Sequence, residues 1–379
     1  MEEALDAIID YRGRTPQKSP IGIPTLSAKS VKNGQIDYSE CYYISPEEYK
    51  KFMTRGFPQK GDILLTTEAP LGMVAKLDRA DVAVAQRLLT LRGKKGVLDN
   101  DFLMYYLQSS EGQGLLKAKE TGTTVTGIKQ AEFRKIVIKV PDFQTQKQIA
   151  AILSALDEKI AINRAINENL ERQAQALFKS WFVDFDSVSK LGFTESELGD
   201  IPYGWRIYTL SEFLPVKTGK KNANVSSDKG AYPFFSCSQD FSWTDEYSFE
   251  GHAILVAGNG DFNVKWYNGK FEAYQRTYVL IPYVERYTDW LYYAVKYNLE
   301  SITSAARGSV IKFITKGNLE NFAFAAPENL EKCEIIDIFS SINRIIDALT
   351  QENYRLAEIR DSLLPKLMAG EIDASAVQL

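Results

Sequence analysis

The sequence predicts an α+β protein, in which two homologous mixed α/β domains are joined by two long helices forming an antiparallel coiled coil. Three observations lead there: an internal repeat with pseudo-two-fold character, two long glycine-free stretches with heptad periodicity, and the same order of elements in each half. Gly122-Thr123-Thr124-Val125 through Pro141 aligns with Gly308-Ser309-Val310-Ile311 through Pro327 at a constant separation of 186 positions. Upstream, Leu103-Met104-Tyr105-Tyr106 matches Leu291-Tyr292-Tyr293-Ala294, Gln86-Arg87 matches Gln275-Arg276, and Gly61–Leu65 matches Gly251–Leu255. The offset drifts by a few residues, as loop insertions produce.

The first domain, residues 1–143, opens with short β-like runs such as Asp62–Thr67, broken by Gly, Pro and Asn. A helical piece follows near Asp101–Gln108, then the Gly-Thr loop, a strand over Lys135–Val140 and a proline. The second domain, residues 187–327, repeats the series with Tyr278–Ile281, a helix near Asp289–Tyr297 and the Gly-Ser loop.

Long helices are expected over 144–186 and 328–370, the regular patterns running from about Gln144 to Phe182 and from about Leu330 to Leu367, with a tail at 371–379. The seam of the first is Leu153, Leu156, Ile160, Asn163, Asn167, Leu170 and Leu177, at alternating spacings of four and three. That of the second is Phe339, Ile342, Ile346, Leu349, Asn353, Leu356 and Leu363, with Ile359 filling in beside the charged Arg360. Pro365 is expected to fray or kink the last turn. A 40-residue helix is about 60 Å long, and a narrow apolar stripe of that length needs a partner. Pairing of the two helices with each other is favoured over homodimerisation through each, because their equal length and matching phase suit one seam. The asparagines would fix its register at some cost in stability.

Composition removes several chemistries. The single histidine, His252, excludes metal sites built on several imidazoles and reads as a structural residue of a buried strand. Cys41, Cys237 and Cys333 lie far apart, form no Cys-x-x-Cys pair and point to a reducing compartment. The acidic start Met1-Glu2-Glu3-Ala4 is unlike an export signal, and no apolar run reaches bilayer length, so a cytoplasmic location is expected. The formal charge of −4 argues at first against a nucleic-acid partner. By region, however, residues 1–141 carry +4, residues 142–190 −1, residues 191–327 −2 and residues 328–379 −5. The first domain is locally basic, and the acidity sits in the C-terminal helical part.

Two related modules on a rigid spacer suit a ruled substrate such as duplex DNA, whose groove faces recur about every 34 Å. Small hydroxyl residues, exposed glycine backbone and Lys or Arg suit phosphate contact, while Arg, Asn and Lys can read base edges. On that ground the candidate DNA-binding residues are Arg12, Arg14, Lys29, Lys32, Thr123, Thr124 and Lys129 in the first domain. In the second they are Lys220, Lys221, Asn263, Arg307, Ser309 and Lys312.

The order of variable domain, long helix, variable domain, long helix resembles the specificity subunit of Type I restriction-modification systems. Local phrases carry the resemblance: Val140-Pro141-Asp142-Phe143-Gln144-Thr145-Gln146-Lys147-Gln148-Ile149, Leu156-Asp157-Glu158-Lys159-Ile160 and Phe178-Lys179-Ser180-Trp181-Phe182 in the first half. Ile201-Pro202-Tyr203-Gly204-Trp205 and Leu363-Leu364-Pro365-Lys366-Leu367-Met368-Ala369-Gly370 extend it through the second. No counterpart of Ile201–Trp205 precedes Leu5. The resemblance implies two target-recognition domains reading a bipartite DNA sequence, with the helices setting the unread spacer. It implies no catalytic residue, metal or cofactor on this chain. Two methyltransferase (modification) subunits and a restriction subunit would be the partners, carrying S-adenosylmethionine, ATP and Mg²⁺. The sequence itself contains neither a Gly-x-x-x-x-Gly-Lys-Ser/Thr loop nor any Pro-Pro dipeptide, so neither a phosphate-binding loop nor an amino-methyltransferase motif is present.

One rival reading comes from Pro141-Asp142 followed by Asp157-Glu158-Lys159, which imitates a nuclease pattern. A shared Mg²⁺ needs both carboxylates within a few ångströms, whereas 15 residues of helix separate them by about 22 Å. The other is a coiled-coil interaction scaffold without sequence-specific DNA binding.

Overall fold

The structure, a computed structural model, describes residues 1–122, 126–304 and 313–377. In chain order the first half holds β1 (Leu5–Asp10), β2 (Ile23–Leu26), β3 (Val31–Lys32), β4 (Gln35–Ile36), β5 (Tyr42–Ile44), α1 (Pro46–Phe52), β6 (Ile63–Thr67), β7 (Leu71–Lys76), β8 (Ala83–Val84) and β9 (Leu88–Gly93). Helices α2 (Asn100–Gln108), α3 (Ser110–Ala118), α4 (Gln130–Arg134) and the long α5 (Phe143–Phe182) follow; residues 135–140, expected as a strand, form none. The second half holds β10 (Phe193–Ser196), β11 (Gly199–Pro202), β12 (Trp205–Thr209), β13 (Val216–Thr218), β14 (Tyr232–Phe235), β15 (Ser242–Thr244), β16 (Phe249–Ala257), β17 (Val264–Ala273) and β18 (Thr277–Leu280). It closes with α6 (Thr288–Tyr297), α7 (Leu299–Ser304), α8 (Lys316–Glu320), β19 (Ala323–Pro327) and the long α9 (Ile335–Met368). Two compact units result: Met1–Ile162 with Glu352–Leu379, and Asn163–Gln351. Each holds one globular domain together with a stretch of both long helices.

In the first unit four antiparallel strands run in the order β1-β9-β6-β7. All five residues of β6 are buried, as expected of a central strand covered on both faces. Helix α2, capped by the Asp99 carboxylate on the Asp101 and Phe102 amides, lies over the sheet. Its Phe102, Leu103 and Tyr106 join Leu65, Leu89, Ile128 and Phe133 in one core, which Ile149 and Leu153 of α5 and Leu367 of α9 complete. A separate sheet, β5-β2-β8, contains the parallel pair β2–β8.

The second unit repeats this plan in one six-stranded sheet, β13-β18-β16-β17-β14-β15, whose first four strands are antiparallel and whose β14 joins β17 in parallel. The ten-residue β17 is continuous where the first unit has β7 and β8 separated by Leu77–Val82, with Asp78, Arg79 and Asp81 between them. That interruption turns one sheet into two. Ile201 and Trp205 are buried, with Trp205 packing on Phe182 and Phe185 at centroid distances of 5.6 and 5.4 Å. The Ile201–Trp205 phrase therefore seals the end of α5 onto its domain.

Helix α5 starts one residue before the expected Gln144, and the Asp142 carboxylate caps it by accepting from the Gln144 and Thr145 amides. Helix α9 starts later than the expected Leu330. Leu330–Lys332 forms a 3-10 turn of its own, closed by Asn329 on the Lys332 amide. Pro365 does not stop α9, which continues to Met368. The proline deletes only one N–H there, while Leu363, Leu364, Leu367 and Met368 anchor the same turn in the first core.

Within each unit the two helix segments run antiparallel. In the first, Arg360 pairs with Asp157 at 2.6 Å and Lys159 with Glu352 at 3.6 Å. In the second, the Asn167 amide donates to the Ile346 carbonyl (3.3 Å) and to the Thr350 hydroxyl (3.1 Å). Leu153, Ile160, Asn163 and Phe339 are buried; Leu156, Asn167, Leu170, Leu177, Ile342, Ile346, Leu349, Asn353, Leu356 and Leu363 are half-buried. One seam residue was misjudged: Ile359 is 47 % exposed, and Arg360 occupies the inward position. The Asp157 carboxylate makes a guanidinium tolerable there.

Candidate nucleic-acid interface

In the first domain a group of arginines gathers where β1 ends and β6 turns into β7. The Arg12 guanidinium donates to the Ile128 carbonyl at 3.4 Å and lies 3.9 Å from the Glu68 carboxylate. Arg87 reaches the same carboxylate from the other side, Nε to Oε1 at 2.8 Å. Arg55 donates to the carbonyls of Asp10 (2.8 Å) and Arg12 (3.3 Å), and its amide N–H donates to the Tyr11 hydroxyl. Arg14 donates to Thr54 and lies over the Phe52 ring, 5.3 Å from its centroid. Burial pushes the Tyr11 phenol above its ordinary pKa, so this hydroxyl stays neutral among the cations.

The backbone here is unusual. Arg87 has φ +72°, a left-handed conformation rare for a residue with a Cβ, and its carbonyl accepts from the Thr67 amide at 3.0 Å. Gly127 bridges Glu68, and a Cβ at Gly127 would come within 2.6 Å of the Thr67 oxygen. Glycine is required for that approach.

The second domain builds the equivalent place from different side chains. The Gly258 amide donates to the Arg276 carbonyl as Thr67 does to Arg87, and the Ile314 amide donates to Gly258 as Ile128 does to Thr67. Asn259 bridges Phe313 as Glu68 bridges Gly127. Lys220 stands two residues beyond Thr218, as Arg12 stands two beyond Asp10; Thr218 pairs with Tyr278 and Asp10 with Leu89. The Lys220 ammonium lies 5.4 Å from the centroid of Phe249, and Lys221 pairs with Glu246 at 2.5 Å. Asn259 accepts from the Cys237 thiol, and Lys265 donates to Asn263 and to the Ser238 carbonyl. Burial holds the Lys265 pKa below its ordinary value.

Of the residues expected from sequence, Arg12 and Arg14 join the first cluster, and exposed Lys129 follows Ile128 directly. Lys29 and Lys32 are exposed on the Ala28–Ser30 turn and on β3. Asn263 is 8 % exposed and spends its amide hydrogens on the carbonyls of Cys237 and Asp261, which suits holding the loop in shape. Thr123, Thr124, Arg307, Ser309 and Lys312 lie outside the described residues. Sequence reasoning passed over Arg55, Glu68 and the roles of Arg87 and Arg276. The signal for the last two was present in the matching Gln86-Arg87 and Gln275-Arg276 pairs.

The nuclease pattern dissolves in the structure. Asp142 caps α5, whereas Asp157 is engaged by Arg360 and by the Tyr105 hydroxyl at 2.7 Å. Among the described residues no group of three or more His, Cys, Asp or Glu gathers as a metal site, and no helix is long and apolar enough to cross a membrane.

The profile described as the Type I restriction modification DNA specificity domain matches residues 8–172 and again 202–358. The specificity subunit of the Type I restriction enzyme EcoDI from Escherichia coli is 35 % identical over 178 residues, 46 % of this chain and 40 % of that protein. The MjaIX specificity subunit of Methanocaldococcus jannaschii is 25 % identical over 391 aligned positions, 92 % of this chain and 87 % of its own length. The crystal structure of the Type I system S subunit from M. genitalium shares the fold, with a TM-score of 0.60 at 20 % identity, over 97 % of this chain and 94 % of that one.

Proposed function

Because the chain belongs to the Type I restriction-modification DNA specificity family, as a non-catalytic specificity subunit, we propose that its two domains each read one part of a bipartite duplex sequence. The observation that carries this reading is the repetition of one backbone framework with different polar side chains: Glu68 and Arg12 in one domain, Asn259 and Lys220 in the other. A common framework presents each domain to DNA in the same way, and unlike side chains give each its own bases. The candidate contacts are the described Arg12, Arg14, Lys29, Lys32, Lys129, Lys220 and Lys221, together with Thr123, Thr124, Arg307, Ser309 and Lys312.

The long helices set the unread interval. DNA and the other subunits of the complex are the partners of a chain of this kind. In finer detail, two modification subunits dock on this chain and a restriction subunit joins them. S-adenosylmethionine, ATP and Mg²⁺ belong to those partners, and the whole acts in the cytoplasm. The second domain and the C-terminal helical part are net acidic, so the partners supply much of the cationic clamp around the phosphates. The family relationship supports this reading over a coiled-coil scaffold without DNA specificity.

The test is binding of the reconstituted complex to duplexes that carry both half-sites at varied separation. Binding falls steeply with salt, and inserting matched heptads in α5 and α9 changes the preferred separation while leaving the bases read unchanged. A change in the bases instead would defeat the spacer role of the helices.

A further inference from the structure

We infer that Glu68 and Arg87 form a single base-reading unit in the first domain, in which the carboxylate aims the guanidinium at a guanine edge. Glu68 is half-buried and receives Arg87 through Nε at 2.8 Å, while Arg12 approaches its other oxygen at 3.9 Å. A carboxylate that engages Nε fixes the plane of the guanidinium. The terminal nitrogens are then left to make the paired donation that matches guanine O6 and N7. The Arg87 side chain is 51 % exposed, so it can reach a groove without unfolding its surroundings.

The backbone supports a function beyond packing. Arg87 holds φ +72° although glycine would adopt that conformation freely. Strained conformations of this kind cluster at active sites, ligand clamps and switch regions. Gly127 gives the approach its room, since a Cβ there would meet the Glu68 Cβ at 2.8 Å.

The second domain makes the comparison. Arg276 occupies the position of Arg87, but Asn259 stands in place of Glu68 and accepts from Cys237. A carboxamide has no charge with which to lock a guanidinium, and it can itself donate to and accept from a base. Position 68, with its counterpart 259, thus separates the preferences of the two domains. This rests on the reading of the chain as a DNA-specificity subunit.

The experiment uses the complex reconstituted from the full chain and its modification subunits, and a duplex library randomised across both half-sites, with bound molecules sequenced. Arg87→Lys keeps the charge and loses the fork; Glu68→Gln keeps the size and loses the aim. Either variant is expected to lower discrimination at one base pair of one half-site about tenfold or more. The other half-site and the salt dependence stay as in wild type. The unchanged half-site serves as the internal control for folding. Uniform weakening across all library members would mark Arg87 as a phosphate or packing contact, and unchanged preferences would mean no reading role; both overturn the inference and leave the specificity reading standing. A wild-type complex that enriches no split sequence would overturn both.

Discussion

Arg360 of the second long helix donates to Asp157 of the first at 2.6 Å, and Asp157 simultaneously accepts from the Tyr105 hydroxyl at 2.7 Å. One carboxylate thereby joins both helix segments of the first unit to its globular domain. Asp157→Ala leaves the partly buried Arg360 with only the exposed Asp361 as counter-ion and should destabilise the first unit by about 1–2 kcal/mol. Urea unfolding of the single variants and of Asp157→Ala/Arg360→Met measures it. The double variant should recover part of the loss; strict additivity would show the pair to be uncoupled.

The same tie recurs in the second unit with altered chemistry. Tyr293, the repeat counterpart of Tyr105, donates to Asn343 at 2.7 Å, and Asn343 donates to Asp289 at 2.7 Å. Asn343 is 2 % exposed, so Tyr293→Phe strips a partner from a buried acceptor. A loss of about 1–3 kcal/mol is expected. Burial raises the Tyr293 phenol far above its ordinary pKa, so ultraviolet titration of this tyrosine should show no phenolate before the protein unfolds in alkali.

Phe339 is fully buried and packs against Phe178 and Tyr293 at centroid distances of 6.3 and 5.2 Å. Phe339→Ala should cost about 3–5 kcal/mol, read as a lower urea midpoint. Exposed Ile345→Ala on the same helix should change stability by no more than about 0.5 kcal/mol. Equal losses at the two positions would contradict the packing described.

Asp337 accepts from Arg286 through Nε (2.7 Å) and Nη2 (2.8 Å), and this pairing holds its carboxyl below the ordinary value of 3.8. A depressed folded-state pKa contributes stability that is complete above the unfolded value and disappears as pH falls through the folded one. The stability difference between wild type and Asp337→Asn should therefore be constant near neutrality and close on acidification below about pH 4. Urea midpoints at stepped pH check this; a gap that widens in acid would reverse the assignment.

The periodicity that spaced Leu153, Leu156 and Ile160 was legible because a helix returns to one face every three or four residues, whatever it packs against. Arg360 was not legible as an inward residue, because its acceptability depends on Asp157, 203 positions away. The same division holds at the candidate interface. Arg12 and Lys220 were visible as cations in loops, but Glu68, which aims the neighbouring arginines, looks in sequence like any acidic loop residue.

By itself the sequence determined two copies of one domain plan, two long helices and their apolar phase, since these follow from local periodicity and repetition. Tertiary structure alone decided that β7 and β8 break apart where β17 runs through, and that Glu68 and Asn259 occupy equivalent places. It also decided that Arg87 is held left-handed beside a carboxylate. Those outcomes depend on ladder register and on contacts between distant segments, which residue order encodes only through the packed chain.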